Sequence, residues 1–519
     1  LDRNPPLPLR AIILAGLRPA RRAATAVAAA LLVSPAVAVP IATLVVDVPT
    51  VTTYAPATGT DAPDLLCPTT AHKTVTPREA PPDASEPQDI PDSGEVETAL
   101  GDLGPESLAP SPARSGAPDV RLGQAKPGQP YRVGVFGDSH FAAAFFTDEL
   151  VRLLRVSPAL VRPGFLSAGL GRPGIRLPVR KSCFSSGWRY EPAYASTAAA
   201  AAPGPGLVNL VATGPGPWLA IDLRDSSRAA DLRSVDVLYL QTSAAITVGV
   251  SVDGGAEQAV VLAGAEGPGQ LQLRTSAPLS TVRLRVIAGS LTFHGLRLDP
   301  PGSPAAEIDL FGFPGATVTG LQRANLPYLG NWFFANPYDL VMLEFGTNEG
   351  NVPAFDPAHY RQAVTEAVEN LQKVFPTAAC VLVGPGDRGV LVSSHGAHRR
   401  HAGAARRPGD LFRYSKIHAT ISSIQEAVAT SHGCAFWSMQ RSMGGIGAAY
   451  AWARQKPALM SRDLTHFTPA GYRELADRFA RDMAWAPEWL LADGAPFTPH
   501  RAGEPDPDAR RERRRNDRP

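Results

Sequence analysis

The chain has almost no excess charge of either sign: 50 Lys and Arg stand against 48 Asp and Glu, for a formal net charge of +2. That balance excludes a general electrostatic pull towards nucleic acid. Long apolar runs are also scarce, and the clearest lies near the start. Arg18, Arg21 and Arg22 precede the apolar stretch 23–33, and Ala36-Val37-Ala38 offers a small-x-small cleavage site. Residues 1–48 therefore read as an export signal, with an uncleaved membrane anchor as the rival because apolar character resumes through Ile41–Val48. The next stretch, 49–130, is rich in Pro, Ala, Asp, Glu and Ser but poor in aromatic and branched apolar residues. Such a composition buries too little apolar area to offset its ordering entropy, and a disordered linker is expected.

Cysteine is sparse. The four residues Cys67, Cys183, Cys380 and Cys434 show no zinc-ligand spacing, so neither metal nor cofactor is expected. In an exported chain they permit three pairings of two bridges, and spacing does not choose among them. Cys380 and Cys434 each open an apolar strand-like run and would meet if those strands are neighbours; two buried thiols are an equal alternative. Three histidines, His395, His398 and His401, lie in the loop 393–408 among arginines, without acidic or thiol ligands. A solvated basic loop is the expectation there. The arginine-rich tail, 496–519, is read as disordered.

What is present points to a nucleophile. Tyr131 to Leu150 is an apolar strand, a Gly-Asp-Ser-His turn and an apolar helix pattern, which puts Ser139 at a strand's carboxyl end beside a helix N-terminus. Serine needs a base and an orienting acid. Asp463 and His466 supply both at i,i+3, close enough to share one side of a turn. Between these ends, Asp339 to Glu344 is a second buried strand, followed by Gly346-Thr347-Asn348. Asn348 can offer its amide to an oxyanion, together with the backbone N–H groups of Ser139 and of the turn around Gly315. Taken singly, each residue has a plainer reading as a helix cap or turn former. Strand and helix patterns then alternate from Pro357 to Trp485, implying a parallel sheet with helices on both faces.

Gly137-Asp138-Ser139, the turn at Gly315, Gly346-Thr347-Asn348 and Asp463-x-x-His466 stand in the order of the blocks of the SGNH hydrolases, the GDSL esterase superfamily, which the chain resembles over about 132–190 and 308–485. His140 replaces the leucine of the founding motif. The gap, 204–300, consists of short period-two runs broken by Gly, Pro and Asp, the pattern of a β-sandwich. An α/β SGNH-type domain in two parts, 131–203 and 301–495, with an inserted jelly-roll-like β-sandwich, is similar to the peptidoglycan O-acetylesterases of Gram-negative bacteria. The resemblance implies a periplasmic or envelope-associated monomer that removes O-acetyl groups from a cell-wall glycan, the C6 ester of muramic acid above all. An O-acetyltransferase using the same triad, a non-catalytic glycan-binding protein and a long-chain lipase remain alternatives. Trp218, Tyr239 and Phe293 are the module's candidate sugar platforms, and core positions are the plainer reading of each.

Overall fold

In the computed structural model the described residues are 41–47, 88–103, 111–116, 129–154, 161–195, 202–224, 232–299, 304–352, 354–393 and 410–485. The basic loop 394–409, Cys67, the arginine tail and residues 1–40 lie outside them.

Apolar strands without alternation want cover on both faces. Tyr131–Gly137, Leu340–Glu344 and Ala379–Gly384 are of this kind, and they form the middle of a seven-stranded sheet. Its order is Arg114–Gly116, Ala435–Ser438, Ala379–Gly384, Leu340–Glu344, Tyr131–Gly137, Ala306–Gly312 and Val161–Arg162. All neighbours are parallel except Arg114–Gly116, which runs antiparallel at one edge. Successive side chains serve opposite cores: Val133, Val135, Leu340, Met342, Val381 and Val383 face one, whereas Phe136, Val341, Leu343, Cys380 and Leu382 face the other. Helices Phe145–Leu153 and Pro469–Asp482 cover the first face, and Pro357–Val374 and Arg413–Ser431 the second.

Register sets where loops leave the sheet. Gly137 pairs with both Gly312 and Glu344, so three strands end level and their following loops emerge side by side. Val381 pairs with Ala435. This brings Cys380 and Cys434 to a Cα separation of 4.8 Å, and they form a disulfide. Cys183 is also disulfide-bonded.

The β-rich region is two facing sheets around its own apolar core, with the inward residues Val235, Val237, Val248, Val250, Leu271, Leu284 and Phe293 among it. Its extent differs from the expected 204–300. Phe165–Ser167, Lys181–Phe184 and Trp188–Pro192 also pair into these sheets, because their partners Leu291–Asp299, Trp218–Asp222 and Val208–Ala212 would otherwise present unpaired edges. Tyr239 and Phe293 are core, whereas Trp218 is half-buried beneath Arg283 at 4.7 Å.

Two N-terminal expectations need correction. Ala42–Asp47, assigned to a signal or anchor, is a strand parallel to Gly267–Leu279, its branched residues completing a sheet edge. The linker is not disordered throughout. Ser93–Gly101 is a helix whose Asp92 and Glu95 form a reciprocal capping box, and its Val96 is buried against Leu411, Phe412, Tyr450 and Leu464. Composition averaged over 49–130 hid this one amphipathic turn set. No helix among the described residues is long and apolar enough to cross a membrane.

Candidate active site

Ser139 begins a short helix directly after Tyr131–Gly137. The tight exit requires glycine twice. A Cβ on Gly137 would lie 2.9 Å from Glu344 Oε2, and one on Gly312 would lie 2.4 Å from the Ala142 nitrogen. Asp138 caps the helix by accepting the His140 N–H at 2.8 Å. Ser139 Oγ then stands 3.0 Å from His466 Nε2.

His466 is carried by the loop before the last helix, and that loop folds around Asp463. Asp463 Oδ1 accepts the N–H groups of Thr465 and His466 at 3.0 and 2.9 Å, and Oδ2 lies 2.7 Å from His466 Nδ1. Nδ1 is thus the donor to the carboxylate, leaving Nε2 to accept the Ser139 proton. Burial opposes ionisation of Asp463, yet the hydrogen bonds from His466 and Thr465 hold its carboxyl well below the usual carboxylate range. In turn the Asp463 bond, against some burial, raises His466 above an ordinary imidazole. Leu464, between the two, has φ +53° and is fully buried. That left-handed conformation costs about 1–2 kcal/mol for a non-glycine residue, and packing under Val96 and Tyr450 holds it.

The proposed oxyanion donors sit on the adjoining loops. Gly315 has φ +85° in the turn after Ala306–Gly312, with open space where a side chain would be. Asn348 Nδ2 donates to the Ala316 carbonyl at 2.8 Å and to Asp138 Oδ2 at 3.3 Å. Asn348 therefore ties together the loops of Ser139 and Gly315, and its longer bond is the one an oxyanion would compete for.

Sequence reasoning missed the acids beneath this edge. Asp138 and Glu344 are fully buried, and Glu344 Oε2 accepts the Asp138 N–H at 3.1 Å. Burial raises Asp138 to about 6 and, with the neighbouring Asp138 charge, pushes Glu344 well above the carboxylate range. Burial likewise raises Glu349 to about 7, although it accepts the N–H groups of Val318 and Gly346 and so laces two site loops together. An acid closing the otherwise apolar run Leu340–Glu344 was the available signal. His140, buried and lowered to about 3 by that burial, packs its ring 5.4 Å from His466, and its Nδ1 shares a hydrogen bond of 3.3 Å with the Tyr472 hydroxyl.

A serine at a strand's end, hydrogen-bonded to a His-Asp pair on a doubly covered parallel sheet, is the arrangement of an α/β serine hydrolase of the SGNH type. Residues 293–474 match the model of the GDSL-like Lipase/Acylhydrolase family. The match takes in Gly315, Asn348, Asp463 and His466, while Ser139 lies before it, beyond most of the β-rich region. Solved structures similar to this chain include a peptidoglycan O-acetylesterase, at 21% identity over 70% of this chain and 92% of the other, with a TM-score of 0.48. They also include family two carbohydrate esterases. The Cellvibrio japonicus enzyme is 12% identical over 59% of this chain and 99% of its own, with a TM-score of 0.21. The Clostridium thermocellum enzyme in complex with cellohexaose is 10% identical over 59% and 100%, with a TM-score of 0.24. No curated protein sequence matches the chain.

Proposed function

We propose that the chain is an exported O-acetylesterase that removes acetyl groups from a cell-wall glycan, peptidoglycan foremost, with Ser139, His466 and Asp463 as its triad. The observation that carries this reading is the relay of 3.0 and 2.7 Å from Ser139 Oγ through His466 to Asp463. The side chains of His466 and Asp463 are 42% and 51% exposed. An open triad suits an ester carried on a bulky polymer, which approaches a surface rather than entering a deep tunnel. The basic and apolar run at residues 18–38 supports export.

In the proposed reaction His466 Nε2 takes the Ser139 proton as Oγ attacks the acetyl carbonyl. Asp463 holds the imidazolium that forms. The oxyanion is received by the N–H groups of Ser139 and Gly315 and by the Asn348 amide, which gives up its long bond to Asp138. His466 then protonates the departing sugar oxygen. Water, deprotonated by the same imidazole, attacks the acetyl-enzyme and releases acetate and Ser139.

The test is acetate release from O-acetylated peptidoglycan by the chain from Ala38 onward, beside a Ser139→Ala control of unchanged circular dichroism. Release abolished in the control is expected. Acetyl groups appearing on an added glycan acceptor instead of as free acetate would assign the site to acetyl transfer.

A further inference from the structure

Arg388 is a cation at the edge of the triad that makes no ion pair among the described residues. It belongs to the loop after Ala379–Gly384, and the next residue, Gly389, donates its N–H to the Leu464 carbonyl at 3.0 Å. The loop is thereby laid along the turn that carries Asp463 and His466, and the Arg388 charge acts on both. Its guanidinium lies 3.9 Å above the Tyr414 ring. Arg413 stands 4.5 Å from the same ring and bonds the Tyr414 hydroxyl at 2.9 Å.

Neither arginine makes an ion pair among the described residues. Arg388 Nε and Nη1 are enclosed without a hydrogen-bond partner among the described residues. Asp463 acts on the guanidinium only through space: it makes no ion pair with it, and its oxygens accept from Thr465 and His466. Enclosed guanidinium groups are ordinarily paired, and a cation–π stack offsets only part of their desolvation. Two cations on one ring also repel. A carboxylate would relieve both costs, since a guanidinium receives it through two parallel N–H···O bonds after a small turn on the tyrosine face.

We infer that Arg388, oriented by Tyr414, is a subsite for a carboxylate of the acetylated glycan, so that the enzyme selects acetyl esters on acidic rather than neutral chains. This rests on the esterase reading above and specifies its substrate class. A purely structural role for the stack is the competing account, and it makes no distinction between acidic and neutral substrates.

The experiment uses O-acetylated peptidoglycan with free carboxylates and the same polymer after amidation of those carboxylates. Free acetate is measured with the wild-type chain, Arg388→Gln and Arg388→Lys. The wild type is expected to favour the acidic polymer, chiefly through KM. Arg388→Gln should reduce that preference by about tenfold or more, as loss of a charge-assisted hydrogen-bond pair implies. Arg388→Lys, which keeps the charge without the fork, should fall between. Absence of a preference in the wild type, or equal losses on both polymers in the variants, would overturn the inference. Wild-type activity on p-nitrophenyl acetate separates the two proposals. If it is present without selectivity, only the carboxylate subsite fails; if the folded enzyme is inactive on this ester and on both polymers, the esterase reading fails first.

Discussion

At the scale of single residues, the His466 imidazole is the base of the proposed reaction, and its surroundings prescribe a pH dependence. Asp463 and the buried Asp138 raise it, while burial and Arg388 oppose them. Burial lowers His140 and His418 to about 3 and about 4, away from His466. The base must be neutral to act, so kcat/KM should climb with pH through a value above the ordinary 6.5 of histidine. Asp463→Asn removes the largest raising contribution. Its limb should move to lower pH and kcat should drop by about 10²–10⁴, as loss of an orienting carboxylate does elsewhere. A pH–rate profile on a small acetyl ester checks both. An unmoved limb would mean that Asp463 does not govern the imidazole.

At the scale of elements, the helix Ser93–Gly101 is the unexpected support of the catalytic loop. Val96 is 5% exposed and belongs to one apolar cluster with Leu464, the residue between Asp463 and His466 that holds φ +53°. The chain before it is fastened too, since Arg454 donates to the Pro91 carbonyl and Gln88–Asp89 pairs with Val392–Ser393. Val96→Asp, or a chain beginning at Pro130, should therefore lower kcat on a small ester more than it raises KM, with a loss of stability of about 2–4 kcal/mol for the buried charge. Urea midpoints beside steady-state kinetics measure both effects. Full kcat in the shortened chain would make the helix a passive appendage. The capping box at Asp92 and Glu95 was readable in the sequence, but its meaning was not, because its partners lie more than 300 positions away in the chain.

At the scale of the whole molecule, the β-sandwich and the hydrolase sheet share a core. Phe165, Leu207, Val208 and Leu238 from the β-rich region pack in one cluster with Phe311, Trp332 and Phe333. Trp332 Nε1 donates to the Pro203 carbonyl at 2.9 Å, and buried His294 bonds Asn209 on one side and Tyr328 on the other. At the crossing from Val161–Arg162 into Phe165–Ser167, Asp309 accepts the N–H groups of Gly164 and Phe165 and the Tyr338 hydroxyl. A module bound in this way is a buttress. Deleting 204–300 should leave an insoluble or molten product, and the intact chain should unfold in one calorimetric transition. Two well-separated transitions would show that the sandwich folds independently.

The sequence alone marked the strands and helices of the hydrolase sheet and the candidate residues Ser139, Asp463 and His466, because each rests on short-range chemistry: period, caps, turn glycines and an i,i+3 pair. It also placed Cys380 and Cys434 at matching strand starts. Only the tertiary structure decided that their strands are neighbours, that Asn348 bridges the loops of Ser139 and Gly315, that Glu344 lies buried beneath Asp138, and that a helix near residue 96 packs on Leu464 beside His466. Those contacts join residues far apart in the chain. Sheet order and register bring them together, and neither is written in any local pattern.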